Sequence, residues 1–227
     1  MSNTSTNVND IVTAGSDRSN DLRSARNGSF TKRAFDIVLS ILMLPILLPV
    51  IAVLYIAVRA EGGPGFFGHK RVGRNVTQFR CCKIRTMVPE AQERLEELLR
   101  NDPAARAEWE RDRKLRNDPR VTRLGAFLRR SSLDELPQIW NVLRGEMSLI
   151  GPRPVTEPEL QRYGGAAWAY LAMRPGITGL WQVSGRNDVS YEERVQLDVA
   201  YHNGVSLMGD VRILFLTVGA VLGKTGM

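Results

Sequence analysis

The sequence predicts an α+β fold that is mainly α, with a proline-broken, re-entrant membrane helix before a helical domain that carries a small β-hairpin. A run of 22 residues without a charge extends from Ile37 to Val58. A β-leaning run at 66–87 contains turn residues around Gly73 and Asn75, which is typical of a hairpin. Cap and stop signals delimit helices later in the chain, at 89–116, 131–143, 191–201 and 210–222.

The apolar run is long enough to enter or cross a membrane. As a helix it would be about 33 Å long, against about 30 Å for the hydrocarbon layer. A cleaved signal peptide fits poorly, because a long polar stretch precedes the run and no small-residue cleavage site follows it. Buried core helices are rarely this long and this uniformly apolar. The run therefore predicts a membrane segment.

Pro45 and Pro49 lie in the middle of this run, four residues apart and therefore on one face of a helix. Each lacks a backbone N–H and clashes with the carbonyl one turn earlier, so a straight helix is not expected. Two interpretations stay open, a kinked spanning helix and a re-entrant hairpin that returns to the same membrane face. Hydropathy does not separate them, although basic residues at both ends, at 32–33 and 59, mildly favour re-entry.

The chain is expected to divide into three parts. Residues 1–29 are polar and aperiodic, which predicts a disordered tail. Residues 30–60 would form the re-entrant helix, and residues 61–227 a cytosolic or interfacial domain. Adjacent Cys81 and Cys82 fit a reducing compartment and either pack in the core or supply a reactive thiol. With two histidines in the chain, a zinc enzyme is not expected.

The basic side chains are unevenly distributed. The formal net charge is +7, from 31 Lys plus Arg against 24 Asp plus Glu. All of this excess falls in residues 30–88, which hold nine basic and two acidic side chains. Such a patch suits nucleic acid, an anionic membrane surface or a phosphorylated ligand. Because the patch flanks the apolar run, lipid is the simpler partner and nucleic acid is not expected.

Asp134 and Glu135 are the first candidates for chemistry. Ser132 and Glu135 have capping-box spacing, which predicts that the helix over 131–143 begins there. Acids in a first helical turn are explained by the helix dipole alone. The same field would keep Asp134 ionised, and an ionised carboxylate can attack phosphorus or hold Mg²⁺. The residues alone leave both explanations open.

The second candidates are cations suited to phosphate, namely Arg129, Arg153, Lys83, Arg85 and Arg186. Arginine makes forked contacts to phosphate oxygens, whereas lysine acts as a point charge. Arg153 has a proline on either side, which fixes its backbone and suits a side chain that must be aimed. A surface ion pair would explain each cation singly. The sequence contains no GxxxxGK[ST], GxGxxG, G-x-S-x-G or H-E-x-x-H motif.

Together these motifs resemble the bacterial sugar transferases, or monotopic phosphoglycosyl transferases, from about residue 30 onward. The longest matching block is LRRSSLDELPQIWNVLRGEMSLIGPRP at 128–154. The others are KRAFDIV at 32–38, FFGHKRVG at 66–73, KIRTM at 83–87, RPGITGLWQVSGRN at 174–187 and LDVAYHNGVSLMGDVRIL at 197–214. The chain departs from the usual pattern where Leu48 precedes Pro49, where Pro45 is added and where Glu146 replaces a frequent aspartate.

The resemblance implies transfer of a sugar-1-phosphate from a UDP-sugar to undecaprenyl phosphate, with release of the nucleoside monophosphate. The implied place is the cytoplasmic face of the bacterial inner membrane. The implied role is the first membrane step of exopolysaccharide or related glycan assembly. Residues 61–227 would then be the catalytic domain, seated where the lipid phosphate and the nucleotide sugar both arrive. Nothing in the sequence selects the sugar.

The same resemblance assigns roles to residues. Asp134 would be the nucleophile of a two-step reaction with a covalent phosphosugar-aspartyl intermediate. Mg²⁺ is the implied cofactor, with Asp134 and Glu135 as its ligands, and Glu135 would also assist proton handling. The implied phosphate-binding residues are Arg129 and Arg153, followed by Lys83, Arg85 and Arg186.

Two other interpretations stay open. The first is a membrane-anchored, non-catalytic partner in polysaccharide assembly. The second is a basic module that binds membrane or nucleic acid, which would leave the LDELPQ and GPRP blocks unexplained. Homo-oligomerisation and contacts with other polysaccharide-assembly enzymes are open as well.

Overall fold

The computed structural model describes residues 22–112, 115–184 and 189–222 of the chain. Over these residues the protein is mainly helical and has two small two-stranded sheets, which confirms the predicted fold class. Helix α1 (Leu22–Ala60) begins inside the stretch that was expected to be a tail, so residues 22–29 are helical. Residues 1–21, the rest of that predicted tail, lie outside the described residues.

Short helices and two pairs of strands follow α1. The hairpin strands are β1 (Phe66–Val72) and β2 (Gln78–Ile84). Next come α2 (Ala91–Asn101), α3 (Pro103–Asp112), α4 (Arg123–Ser131) and α5 (Gln138–Arg144). The chain continues with β3 (Ser148–Ile150), α6 (Glu157–Gln161), α7 (Ala167–Ala172), β4 (Gly176–Thr178), α8 (Leu180–Val183), α9 (Tyr191–Asn203) and α10 (Leu207–Leu222). The helices predicted at 89–116, 191–201 and 210–222 are thus confirmed.

Helix α1 lies along the domain over most of its length. Its core-facing apolar side chains recur every three to five residues, and they are Phe35, Leu39, Leu44, Leu47, Ile51, Leu54 and Val58. Pro45 and Pro49 are inside the helix, so the chain stays helical through both prolines. The opposite face is apolar and exposed, for example at Leu42 and Ile46. By length and composition α1 could cross a membrane, and its re-entrant course stays a prediction.

Polar contacts fasten both ends of α1 to the domain. Near its beginning, Lys32 Nζ lies 2.7 Å from Asp210 Oδ2 in α10. Arg33 donates to the last carbonyls of α5 in the same region. At the other end, Arg85 Nη2 donates to the Val58 carbonyl at 2.9 Å. Because both ends and the stripe between them contact one domain, α1 is a wall of that domain as well as an apolar segment.

The hairpin forms as predicted, with β1 antiparallel to β2 from the pair Phe66 and Ile84 to the pair Val72 and Gln78. Side chains alternate across β2, so Cys81 points into the core and is 2% exposed. Burial raises the pKa of the Cys81 thiol to about 11. The thiol is therefore protonated at neutral pH, which favours the core-packing explanation for this cysteine.

The prediction that a helix begins at a capping box formed by Ser132 and Glu135 is wrong. Ser132 adopts a left-handed conformation (φ 56°) at the end of α4 and donates its N–H to the Arg129 carbonyl. An N-cap residue needs an extended backbone, so Ser132 cannot cap a following helix. A 3₁₀ turn, Leu133–Glu135, comes next, and α5 begins only at Gln138. Asp134 therefore lies on a short turn and not on the first turn of an α-helix.

Strands β3 and β4 pair in parallel, which the sequence did not predict. The pairing brings Gly176, the first residue of β4, against Gly151, which directly follows β3, because a Cβ on Gly176 would lie 2.1 Å from the Gly151 nitrogen. A Cβ on Gly151 would lie 2.4 Å from the Arg174 carbonyl oxygen. Real side chains do not fit at such distances, so glycine is required at both positions. The contact fixes the start of the loop that carries Arg153.

The end of that loop is fixed from a second direction. Val155 forms a β-bridge with Val72 at the end of β1, and its N–H donates to Tyr170 Oη at 3.1 Å. The Tyr170 hydroxyl in turn donates to the Val72 carbonyl at 2.6 Å. Tyr170 is fully buried in a small apolar cluster that is separate from the main core and also contains Val72 and Val155. The loop around Arg153 is thus held by backbone contacts at both ends.

Gly176→Ala is expected to lower the free energy of unfolding by about 3 kcal/mol, because the new methyl group forces the β3–β4 backbone apart. The matched control is Gly165→Ala, where a Cβ meets nothing within 4 Å and little change is expected. Thermal unfolding of both variants in the same detergent checks this. Equal Tm values for the two variants would contradict the close approach of the strands.

Candidate active site

A cavity of about 450 Å³ lies between the hairpin, the 3₁₀ turn and the loop at 151–154. Two apolar side chains of α1, Met43 and Leu47, form part of its lining. The residues predicted from the sequence that also line it are Lys83, Arg129, Glu135 and Arg153. The cavity therefore brings cations and a carboxylate next to the helix whose outer face is apolar.

Lys83 joins the two acids of the 3₁₀ turn. Its Nζ lies 2.6 Å from Glu135 Oε1 and 3.6 Å from Asp134 Oδ2. This pairing is possible because β2 packs against the turn and Lys83 is the penultimate residue of that strand. The sequence suggested Lys83 as a phosphate ligand, and the structure places its ammonium group on the carboxylates.

Asp134 is buried, with 6% of its surface exposed. Burial raises the pKa of its carboxyl group, and Glu135 raises it further, whereas Lys83 and Arg129 lower it. The net direction is upward. Asp134 lies on a single 3₁₀ turn and not on an α-helix, so the full dipole field expected of an α-helix does not act on it, although a backbone hydrogen bond also lowers the pKa. Ionisation of Asp134 therefore depends on the nearby cations, of which Lys83 acts most strongly.

Two arginines line the cavity from other directions. Arg129 is in the last turn of α4, and its Nε donates to Thr86 Oγ1 at 2.9 Å, which sets the direction of the guanidinium group. Arg153 is exposed, and its Cζ lies 5.9 Å from the centroid of the Trp181 ring. An aromatic face attracts a guanidinium group without using its N–H donors. Both side chains can therefore present donors to an anion in the cavity.

Arg85 lies apart from the other predicted cations. It is 7% exposed, and its guanidinium group reaches the last turn of α1. The chain leaves β2 at Ile84, so the two-residue alternation that would align Arg85 with Lys83 does not continue. Arg85 therefore contacts the end of α1 and does not line the cavity. Arg186 lies outside the described residues.

Arg71 lines the cavity and was not singled out from the sequence. Its Nη1 lies 2.9 Å from Glu159 Oε2. Its neighbour Lys70 is exposed on the other face of β1. Alternation along the predicted strand was a signal that one of the two basic residues faces inward, but the sequence did not show which. Trp181, which supports Arg153, was noted only as part of a motif.

The two acids of the 3₁₀ turn are the candidate ligands for Mg²⁺. In the described ranges, no group of three or more His, Cys, Asp and Glu residues could hold a metal ion. Asp134 and Glu135 nevertheless offer carboxylate oxygens, the donors that Mg²⁺ prefers. Mg²⁺ is commonly held by one or two carboxylates together with substrate phosphates. The donor set therefore fits an ion that binds together with a phosphorylated substrate.

The chain matches the bacterial sugar transferase family over residues 27–224. It is similar to the UDP-galactose-lipid carrier transferase of Erwinia amylovora, at 54% identity over 92% of this chain and 43% of the relative. It is 54% identical to the undecaprenyl-phosphate galactose phosphotransferase of Salmonella typhimurium, over 88% of this chain and 42% of the relative. The exopolysaccharide production protein ExoY of Sinorhizobium fredii is 50% identical over 88% of each chain.

The chain thus spans less than half the length of the first two relatives and most of the length of ExoY. The matched region contains α1 from residue 27 onward, both sheets and every residue that lines the cavity. The long apolar helix and these relatives together indicate association with a membrane. A match of this extent, at half identity or more to several relatives, leaves one conclusion: the chain belongs to the bacterial sugar transferase family.

Proposed function

We propose that the protein is a phosphoglycosyl transferase that moves a sugar-1-phosphate from a UDP-sugar to undecaprenyl phosphate. The observation that carries the proposal is the buried Asp134 carboxylate 3.6 Å from Lys83 Nζ. Asp134 itself is not part of the cavity lining, whereas Lys83, its neighbour Glu135, Arg129 and Arg153 are. The names of the Erwinia and Salmonella relatives support this donor and acceptor. The name of ExoY supports a role in exopolysaccharide production.

The proposed reaction has two displacement steps at one phosphorus atom. First, a carboxylate oxygen of Asp134 attacks the phosphorus that bears the sugar, and the bond to the bridging oxygen of the diphosphate breaks. UMP leaves with that electron pair, and the sugar phosphate stays on Asp134. Next, a phosphate oxygen of undecaprenyl phosphate attacks the same phosphorus. The Asp134 carboxylate is released, and the lipid diphosphate sugar forms.

The cations have separate tasks in this scheme. Phosphoryl transfer depends mainly on positioning and on charge that stabilises the transferring group. Arg129 and Arg153 line the cavity and would hold the diphosphate oxygens. Lys83 would favour the ionised form of Asp134, and Glu135 would keep the Lys83 ammonium group in place.

Mg²⁺ would be held by the carboxylates of Asp134 and Glu135 together with substrate phosphate oxygens. When bound, it supplies positive charge that offsets the charge of the diphosphate. Glu135 contacts Lys83 through Oε1 at 2.6 Å, and its second oxygen is available for the ion or for a proton.

The proposed place of the reaction is the cytoplasmic face of the inner membrane, with α1 re-entrant and the protein monotopic; the packing of α1 along the domain supports a one-sided position. A spanning orientation would carry charged groups of the domain, which packs along the helix, toward the hydrocarbon layer, at a high cost in free energy. The exposed apolar face of α1 can instead lie in one leaflet. Met43 and Leu47 then place lipid next to the cavity, where the undecaprenyl phosphate head group must arrive.

Asp134→Asn is expected to reduce UMP release from UDP-sugars by at least about 10³-fold, because an amide oxygen is not a competent nucleophile. Its Tm should equal or exceed that of the wild type, because burial already disfavours the charge at this position. With radiolabelled donor and no lipid acceptor, the wild type should retain label on the protein and the variant should not.

Glu157→Gln, a change at an exposed carboxylate outside the cavity, is the matched control and should keep wild-type activity. Wild-type UMP release by Asp134→Asn would disprove the role of Asp134. If the wild-type protein releases UMP from no UDP-sugar, the enzymatic proposal fails and a non-catalytic partner in polysaccharide assembly becomes the better explanation.

Lys83→Gln is expected to move the acidic limb of the pH–kcat/KM profile to higher pH. Lys83 lowers the pKa of Asp134, so its removal raises that pKa and the ionised nucleophile forms only at higher pH. Activity at neutral pH should fall about tenfold or more, with partial recovery at alkaline pH. The control Lys70→Gln removes an exposed charge from the same hairpin. A uniform loss at every pH would instead indicate a role limited to phosphate binding.

Ala25→Cys, in the first turn of α1, and Glu61→Cys, directly after its last residue, lie on either side of the apolar run and test its course through the membrane. Each variant is placed in a background with Cys81→Ala and Cys82→Ala and is reconstituted in sealed vesicles. A re-entrant helix predicts that an impermeant maleimide labels both positions from the same side. Labelling from opposite sides would show that α1 spans the bilayer.

A further inference from the structure

A second cavity, of about 190 Å³, lies beside the turn of the hairpin. Among the described residues, the linings of the two cavities have no member in common. The second lining consists of Arg74, Asn75, Thr77, Gly145, Glu146 and Arg174. Arg174 begins the RPGITG motif, to which the sugar-transfer reaction assigns no role.

Two arginines, Arg74 and Arg174, line this cavity, and a third, Arg33, lies close to Gly145 outside the lining, where it donates to the Val142 and Leu143 carbonyls. Arg174 Nε donates to the Gly145 carbonyl at 2.8 Å. Arg33 approaches from α1, so that a Cβ on Gly145 would lie 3.5 Å from its Nη2. Arg74 comes from the hairpin turn. Burial, followed by repulsion from Arg74 and Arg33, lowers the pKa of Arg174, which shows that the like charges are close.

The acids near this cluster have other contacts. Glu146 lines the cavity, but its Oε2 accepts a hydrogen bond from Asn141 Nδ2 at 2.6 Å. Asp36, which also acts on Arg174, is 1% exposed and accepts from the Leu149 N–H. Over residues 22–112, 115–184 and 189–222, no salt bridge joins Arg74 or Arg174 to a carboxylate. The cavity is therefore positively charged and has uncommitted guanidinium donors.

The turn that carries Arg74 is strained. Asn75 has φ 55° and Val76 has φ 64°, so two consecutive residues other than glycine occupy the left-handed region. For a β-branched residue this conformation is rare and unfavourable. Such strain concentrates at sites that hold ligands. The turn keeps Arg74 at the cavity edge despite this cost.

We propose that this second cavity binds a phosphate group, supplied either by a lipid head group or by a soluble phosphate compound. Arg74 and Arg174 donate to the phosphate oxygens, and Arg33 adds positive field from the beginning of α1. A bound phosphate offsets the repulsion among the three arginines. Arg33 precedes the apolar run by four residues, so the site lies at the polar end of the membrane helix.

The test uses the full chain in dodecyl maltoside micelles, which contain no phosphate. An arginine-reactive dione is added in chloride, in inorganic phosphate at equal ionic strength, and in micelles with phosphatidylglycerol. Peptide-resolved mass spectrometry follows each arginine. Phosphate or phosphatidylglycerol is expected to slow labelling of Arg74 and Arg174 about threefold or more, while exposed Arg80 is unaffected.

The two arms identify the source of the ligand. Protection by phosphatidylglycerol alone indicates a lipid head group, and protection by inorganic phosphate indicates that a soluble compound suffices. No protection in either arm, or equal slowing at Arg80, overturns the proposal. The readout is independent of sugar transfer, so the failure of one proposal does not affect the other.

Variants refine the same measurement. Glu146→Gln removes the carboxylate from the lining, so protection should occur at a lower anion concentration. Arg174→Gln should abolish protection of Arg74. If that variant does not fold, Arg74→Gln provides the equivalent test, because it should abolish protection of Arg174. Lys70→Gln, which removes a charge of the same hairpin outside the cavity, should leave protection unchanged. Retained protection in both arginine variants would overturn the proposal.

Discussion

The ammonium group of Lys83 is the contact on which the chemistry of the main cavity depends. Two adjacent carboxylates repel each other when ionised, and burial of Asp134 adds to the cost of its charge. Lys83 lies within salt-bridge distance of both acids, so a single cation offsets both charges. The acids reach it because Ser132, directly after α4, adopts a left-handed conformation and a short turn follows.

The opposite side of the cavity depends on backbone contacts. Parallel pairing of β3 and β4 requires glycine at Gly151 and Gly176, and a β-bridge at Val155 holds the other end of the same loop. Arg153 is exposed between these fixed points. An exposed arginine normally loses much side-chain entropy on binding an anion, and a fixed backbone with an adjacent indole ring limits that loss.

The concentration of positive charge at residues 30–88 has several separate roles in the structure. Lys32, Arg33 and Arg85 attach the two ends of α1 to the domain. Other members of the patch line the two cavities, with Arg71 and Lys83 in the first and Arg74 in the second. Helix α1 thereby contributes to the domain wall, to the lining of the first cavity and to the charge at the second.

The sequence by itself determined the apolar helix, the hairpin and most of the helices. These follow from local patterns, since residue spacing and turn chemistry act over a few positions. It also singled out Asp134, Glu135, Arg129 and Arg153 as candidates, whose roles are implied by the family resemblance. The tertiary structure alone decided that Lys83 faces the acids while Arg85 contacts the end of α1, because the chain leaves β2 between them. It likewise selected Arg71 over Lys70 and paired β3 with β4. Such choices depend on how elements that are distant in the sequence pack against each other, and local sequence patterns contain no information on those contacts.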